Sequence, residues 1–125
     1  LLGKRSYQSP HPGTWSNFGG KAESTDSGPK SCALREFQEE SQISDKFEIS
    51  KNPFYVQDDP DKIFYNYIGV SDGKPSVTID KEHSTYGWFP LSDLPSNLHP
   101  GFQELISKKG KELKELKEKI KENEN

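Results

Sequence analysis

The 125-residue chain is short of cysteine, of apolar residues and of basic excess. Each shortage excludes something. A single cysteine, Cys32, rules out an intramolecular disulfide and suits a reducing, cytoplasmic compartment. No apolar run approaches the roughly 20 residues that a membrane-spanning helix needs, and no signal-peptide pattern is present. Only 29% of residues are hydrophobic, so one domain with a modest core is expected. The formal charge of −3 and a pI near 5.6 give no global basic footprint for nucleic acid, although a local basic patch could still hold phosphates. The sequence opens on Leu1 rather than Met, and a trimmed chain is one expectation.

What the sequence does have is concentrated between Gly19 and Ile43, around Arg35-Glu36-Phe37-Gln38-Glu39-Glu40. On an α-helix at about 100° per residue, Glu36, Glu39 and Glu40 are related as i, i+3 and i+4 and share one face. Ala33, Leu34 and Phe37 fall on the adjoining arc, available to pack on a sheet. Like charges so placed cost an isolated helix roughly 0.2–0.5 kcal/mol per pair. A hard divalent cation reverses that cost, because Mg²⁺ takes oxygen ligands. A solvated acidic face is the plain alternative. At average amino-acid usage, however, Arg-Glu-apolar-x-Glu-Glu arises by chance in roughly one chain in a thousand of this length.

The stretch resembles the Nudix box, G-x5-E-x7-R-E-U-x-E-E-x-G-U with U apolar. Gly20 matches the first Gly, and Arg35, Glu36, Phe37, Glu39, Glu40 and Ile43 match the second half. Three departures stand out. Asp26 replaces the first Glu, one extra residue separates it from Arg35, and Gln42 replaces the last Gly. Trp15-x-x-Phe18-Gly19-Gly20 is similar to the family's W-x-x-P-G-G lead-in, and Trp88-Phe89-Pro90-Leu91 resembles its late strand. The resemblance runs from Leu1 to about Leu94. It implies an α/β fold, a Nudix-like α/β/α sandwich with a mixed β-sheet, the box helix on one face and the C-terminal helix on the other. The domain is expected over 1–110, lacking the family's first strand, followed by a charged helical tail over 111–125.

Along the chain, Leu1 to Ser6 reads as a strand end, with Lys4 and Arg5 available to phosphates or to solvent. Tyr7 to Thr14 is a loop. The box helix is predicted to open at Gly28-Pro29 and run to about Ser41, without a Gly stop. Pro53 to Val56 suggests a strand. Lys62 to Val70, KIFYNYIGV, is the strongest strand signal and reads as a central strand covered on both faces. Short strands are expected at Ser76 to Ile79 and at Tyr86 to Phe89. Phe102 to Ile120 reads as a helix with Gly110 as a weak point, its first two turns on the sheet and its remainder in solvent or against a partner helix.

The resemblance implies Mg²⁺-dependent hydrolysis of a nucleoside diphosphate linked to another group, with Mn²⁺ as a possible substitute. It assigns Glu36, Glu39 and Arg35 to catalysis, and Glu36, Glu39, Glu40, Gly19 and Gly20 to the metal. Glu36 is the first choice for taking the proton from water, and Arg35 is expected to orient a carboxylate such as Glu39. Glu82 is a candidate ligand or base, with His83 beside it. Arg5, Lys21 and Tyr65 are the substrate-binding candidates. Other aromatic residues, Tyr7, Phe64 and Tyr67, could stack a base or belong to the core. A compact (deoxy)nucleoside triphosphate, an oxidised one included, is the expected substrate, with ADP-ribose, dinucleoside polyphosphates and a capped RNA end as further options. No membrane partner is expected, and the chain is expected to be a monomer or homodimer. The competing reading is a degenerate box that binds nucleotide or a protein partner without turnover.

Overall fold

Leu2, Phe102 and Leu105 mark where the elements meet. They form a small buried cluster, and Trp15, Phe54, Tyr55, Phe89, Leu94, Leu98 and Ile106 pack around it. The computed structural model describes residues 1–19, 26–43, 47–59 and 62–123. In chain order these give β1 (Leu2–Arg5), β2 (Trp15–Ser16), α1 (Pro29–Ser41), β3 (Phe47–Ile49), β4 (Tyr55–Asp59), β5 (Lys62–Asn66), β6 (Gly69–Ser71), β7 (His83–Gly87) and α2 (Pro100–Asn123). Strands and helices mix as an α/β fold requires.

The strands form three small sheets, β2-β1-β7, β3-β6 and β4-β5, rather than the single mixed sheet expected. Every ladder between these strands is antiparallel, and parallel pairing among the described residues is confined to an isolated Trp15–Leu98 bridge. The reason lies in strand length. Segments of two to five residues pair with a chain neighbour, as β4 does with β5, or with a distant strand, as β1 does with β7, and ladders this short stay separate.

KIFYNYIGV is the clearest departure. It is two strands, β5 and β6, parted at Tyr67 and Ile68. Asn66 ends the first, its side-chain amide donating to the Tyr55 carbonyl and to Gln57 Oε1, each at 3.1 Å. Such local side-chain bonding competes with a continued ladder. Ile68 then passes to the other partner, its N–H donating to Ser50 Oγ at 3.1 Å and its carbonyl accepting from Ser50 N at 2.8 Å. The expected cover is also missing, since Ile63, Phe64 and Tyr65 are 54%, 45% and 40% exposed. The expected strand at Ser76–Ile79 does not form; Thr78 N instead donates to the Ser41 carbonyl at 2.9 Å. The late strand lies earlier than expected, at His83–Gly87.

Helix α1 starts with Pro at its first turn, where a missing N–H costs nothing, and ends at Ser41. In place of the absent Gly, Gln42 itself takes the left-handed conformation (φ 53°, ψ 29°) and its N–H bonds the Gln38 carbonyl at 2.9 Å. Phe37 anchors the helix edge-on between Phe18 and Phe47, at 5.9 and 5.3 Å. The most buried helical positions are Cys32, Glu40 and Ser41, not the Ala33-Leu34 arc. Helix α2 runs unbroken through Gly110. Leu116 and Ile120 of its far half line a cleft with Phe54, Ile68 and Val70.

Candidate active site

Cys32, Glu36 and Glu40 repeat every four residues and so form one stripe of α1. The last of them is the unusual one. Glu40 is only 4% exposed, and its Oε2 accepts a 2.9 Å hydrogen bond from the Gly19 amide. Burial pushes its pKa up to about 8. The Gly19 bond opposes that rise, while a hydrogen bond with Glu82 and the charges of Asp80 and Glu36 add to it. Among the described residues no Lys or Arg pairs with Glu40.

The loop before β7 closes over this carboxylate. Asp80 Oδ1 lies 2.9 Å from His83 Nδ1 and accepts the Glu82 amide at 3.2 Å, so one side chain holds the turn together. The His83 side chain is 4% exposed. It packs against Phe18 with ring centroids 4.9 Å apart and a 50° tilt, and crosses the backbone of Gly3, where a Cβ would fall 2.5 Å from its Cδ2. Glu40, Asp80 and His83 each offer a ligand atom, all within 4.8 Å of one another.

Arg35 organises the other flank. Its Nε and Nη2 grip Asp26 through both oxygens at 2.9 and 3.1 Å. Its Nη1 reaches Glu36 at 2.7 Å and Glu39 at 3.1 Å. These bonds, that to Asp26 foremost, raise the Arg35 pKa above its ordinary value and hold the guanidinium charged. Asp26, the departure from the box pattern, therefore takes the role of Arg35's principal partner. Burial likewise raises the Cys32 thiol, which suits a packing residue rather than a nucleophile.

The three helix glutamates thus do not gather at one point. Glu40 faces the Asp80–His83 loop, Glu36 stands between it and Arg35, and Glu39 is 58% exposed on the Arg35 side. Helix geometry accounts for this, because Glu39 is nearer in angle to Arg35 than to Glu36 or Glu40. Gly19 presents its amide to Glu40, and Glu82 hydrogen-bonds the same carboxylate. Arg5 is committed elsewhere, its Nε donating to the Pro10 carbonyl. Tyr65 stands on the exposed β4–β5 ribbon. Gly20 and Lys21 lie outside the described residues. Sequence reasoning passed over Asp80. The signal was Asp80-x-x-His83 just ahead of a strand, but only the folded loop brings that pair to Glu40.

A buried carboxylate facing an Asp–His pair, with no ammonium or guanidinium among the described residues to neutralise it, has the chemistry of a divalent-cation site. The family model described as NUDIX domain matches residues 1–108. The chain belongs to the Nudix family. At the level of the family, this supports a hydrolase acting on pyrophosphate bonds of nucleoside diphosphate derivatives. No curated protein and no solved structure matches the chain. No described helix is long and apolar enough to cross a membrane.

Proposed function

We propose that the chain hydrolyses a nucleoside diphosphate linked to another group, most simply a (deoxy)nucleoside triphosphate or an oxidised one, with Mg²⁺ or Mn²⁺ as cofactor. The observation that carries this is Glu40, a buried carboxylate that meets Asp80, Glu82 and His83 and, among the described residues, has no cationic side chain paired with it. The donor set fits a divalent cation, and Glu40, Asp80 and His83 would hold it, with Glu36 and Glu82 at its margin. When bound, such an ion neutralises phosphate charge and acidifies water.

The chain's own residues do the rest. Water attacks a phosphorus atom, the bridging P–O bond breaks, and the leaving phosphate takes the electron pair. Glu36 accepts the proton, held in place by its 2.7 Å bond to Arg35. Arg35 is in turn fixed by Asp26, so it acts as a positioning residue. We propose further that α1 and α2 flank the strands as the two outer layers of a sandwich.

A panel of nucleoside triphosphates, oxidised triphosphates, ADP-ribose, dinucleoside polyphosphates and capped RNA, each with Mg²⁺ or Mn²⁺, tests the reading through released phosphate or pyrophosphate. Product from at least one member is expected. The second reading, nucleotide binding without turnover, is favoured by the tie of exposed Glu39 to Arg35. Affinity for a nucleotide with no product would establish it in place of the first.

A further inference from the structure

Four exposed apolar side chains, Val56, Ile63, Phe64 and Tyr65, gather on the β4–β5 ribbon. Tyr55 packs on the Leu2, Phe102 and Leu105 cluster, and Gln57 Nε2 donates to the Gly101 carbonyl at 2.8 Å, so this face of β4 is turned to α2. On the other face the ladder sets Val56 opposite Tyr65 and Asp58 opposite Ile63. Helix α1 approaches β5, yet all four apolar residues stay at least 40% exposed. Among the described residues no strand pairs with the outer edge of β5, and no backbone bond reaches Ile63, Phe64 or Tyr65 except from β4. We infer that this edge receives a second copy of the chain. The two β5 strands pair antiparallel about a two-fold axis at Phe64, which gives a four-stranded β4-β5-β5-β4 sheet. The inference stands apart from the functional reading above, and its test needs no nucleotide turnover.

Two observations select a second copy as the occupant. The first is the register that a two-fold imposes. Phe64 is the middle residue of β5, so an axis there sets it opposite the copy's Phe64, Ile63 opposite the copy's Tyr65, and Lys62 opposite the copy's Asn66. The outward row Val56-Tyr65 then runs on into Ile63-Asp58 of the copy, and the inward row Gln57-Phe64 into Phe64-Gln57. Aromatic pairs and aromatic–β-branched pairs are those that stabilise a sheet across its strands, and no like charges are set opposite each other. The second observation is where the charges lie. The free edge of β4 carries adjacent Asp58 and Asp59, whereas β5 offers Ile63, Phe64 and Tyr65 with a single charge, Lys62, at its end. Charged residues keep exposed edges from pairing, and the β5 edge lacks that guard.

The area sets the strength. The exposed parts of Val56, Ile63, Phe64 and Tyr65 come to roughly 350 Å² per chain and roughly 700 Å² over the pair, before the strand edges are counted. A standard interface buries roughly 1,200–2,000 Å². The dimer is therefore a weak one, with a Kd of about 10–100 μM. The two-fold makes the contact self-complementary and closed, so pairing stops at two chains.

Sedimentation velocity of the full chain from about 1 to about 500 μM tests this, and the average mass should climb from one chain towards two. Phe64→Lys sets an ammonium group against its own copy at the axis and should weaken the dimer at least about ten-fold. Ile63→Lys and Tyr65→Glu should each weaken it. The double variant I63K/Y65E should bind itself at least about three-fold more tightly than either single variant, because the register places the two positions opposite each other across the axis. Should these variants fail to fold, hydrogen exchange of the wild-type chain decides. The β5 amides should gain about ten-fold protection between the dilute and the concentrated sample, while those of α2 stay unchanged. A chain that is monomeric over the whole range overturns the inference, and so does a dimer that Phe64→Lys leaves intact. A monomeric chain whose β5 amides are protected by ATP in chelator gives the ribbon to a nucleotide and overturns it as well.

Discussion

Glu40→Gln separates what this residue does for the fold from what it does for chemistry. Gln keeps the shape and can still accept the Gly19 N–H, but it cannot ionise. In the folded chain the Glu40 carboxyl keeps its proton up to about pH 8, against an ordinary value of 4.5. Between those values the folded state binds more protons than the unfolded one, so this group lowers stability as pH rises through that window. The gap sets a ceiling of about 5 kcal/mol above pH 8. Relaxation of the loop and entry of water on ionisation reduce this, which brings the expected penalty to about 2 kcal/mol. With chelator present, Glu40→Gln should therefore be more stable than wild type by about 2 kcal/mol at pH 8 and no more stable at pH 4.5. Urea unfolding at the two pH values measures this. Added Mn²⁺ should reverse the order, because a ligand at one hundred times its Kd adds about 2.7 kcal/mol to the protein that binds it. Hydrolysis should fall by orders of magnitude in the same variant. A stability difference that does not change with pH, or a variant less stable than wild type at pH 8 in chelator, would refute the reasoning.

Three further perturbations test the surrounding parts. Arg35→Lys keeps the charge but loses the fork that grips Asp26 and reaches Glu36, so kcat should drop about ten-fold or more with KM little changed, read by steady-state kinetics. Gly3→Ala drives a Cβ to 2.5 Å from His83 Cδ2 and should cost about 1–3 kcal/mol in urea unfolding, with metal affinity falling as the ring is displaced. Gly110→Ala meets only Ile106 Cγ2 at 3.7 Å in mid-helix, so thermal unfolding should show a gain of about 1 kcal/mol.

The helices were legible because their signals are local. Gly28-Pro29 opens α1 and the chain leaves the helix after Ser41, even though Gln42 had to adopt a conformation better suited to Gly. The Phe102, Leu105 and Ile106 stripe placed α2 on the core with equal directness. The strands were less legible for a physical reason. Apolar residues on both faces of KIFYNYIGV look like a covered strand, but periodicity does not weigh a polar residue able to end the ladder, and Asn66 bonds to Tyr55, Gln57 and, through its Oδ1, Asn17.

The site divides in the same way, and the division bears on chemistry. Helical spacing alone put Glu36, Glu39 and Glu40 on one face, but a face about 100° wide has two edges. Arg35 takes the Glu39 edge, and the loop carrying Asp80, Glu82 and His83 takes the Glu40 edge. Glu36 lies between the Arg35 guanidinium, 2.7 Å away, and the acidic cluster around Glu40. In the proposed reaction that position suits the group that accepts a proton from water. The loop that fixes the second edge lies about forty residues further along the chain from Glu40, and Phe18 and Gly3 bring it home by holding His83. Box positions thus supply the acids, while long-range packing of one histidine decides which of them meets the Asp80–His83 loop.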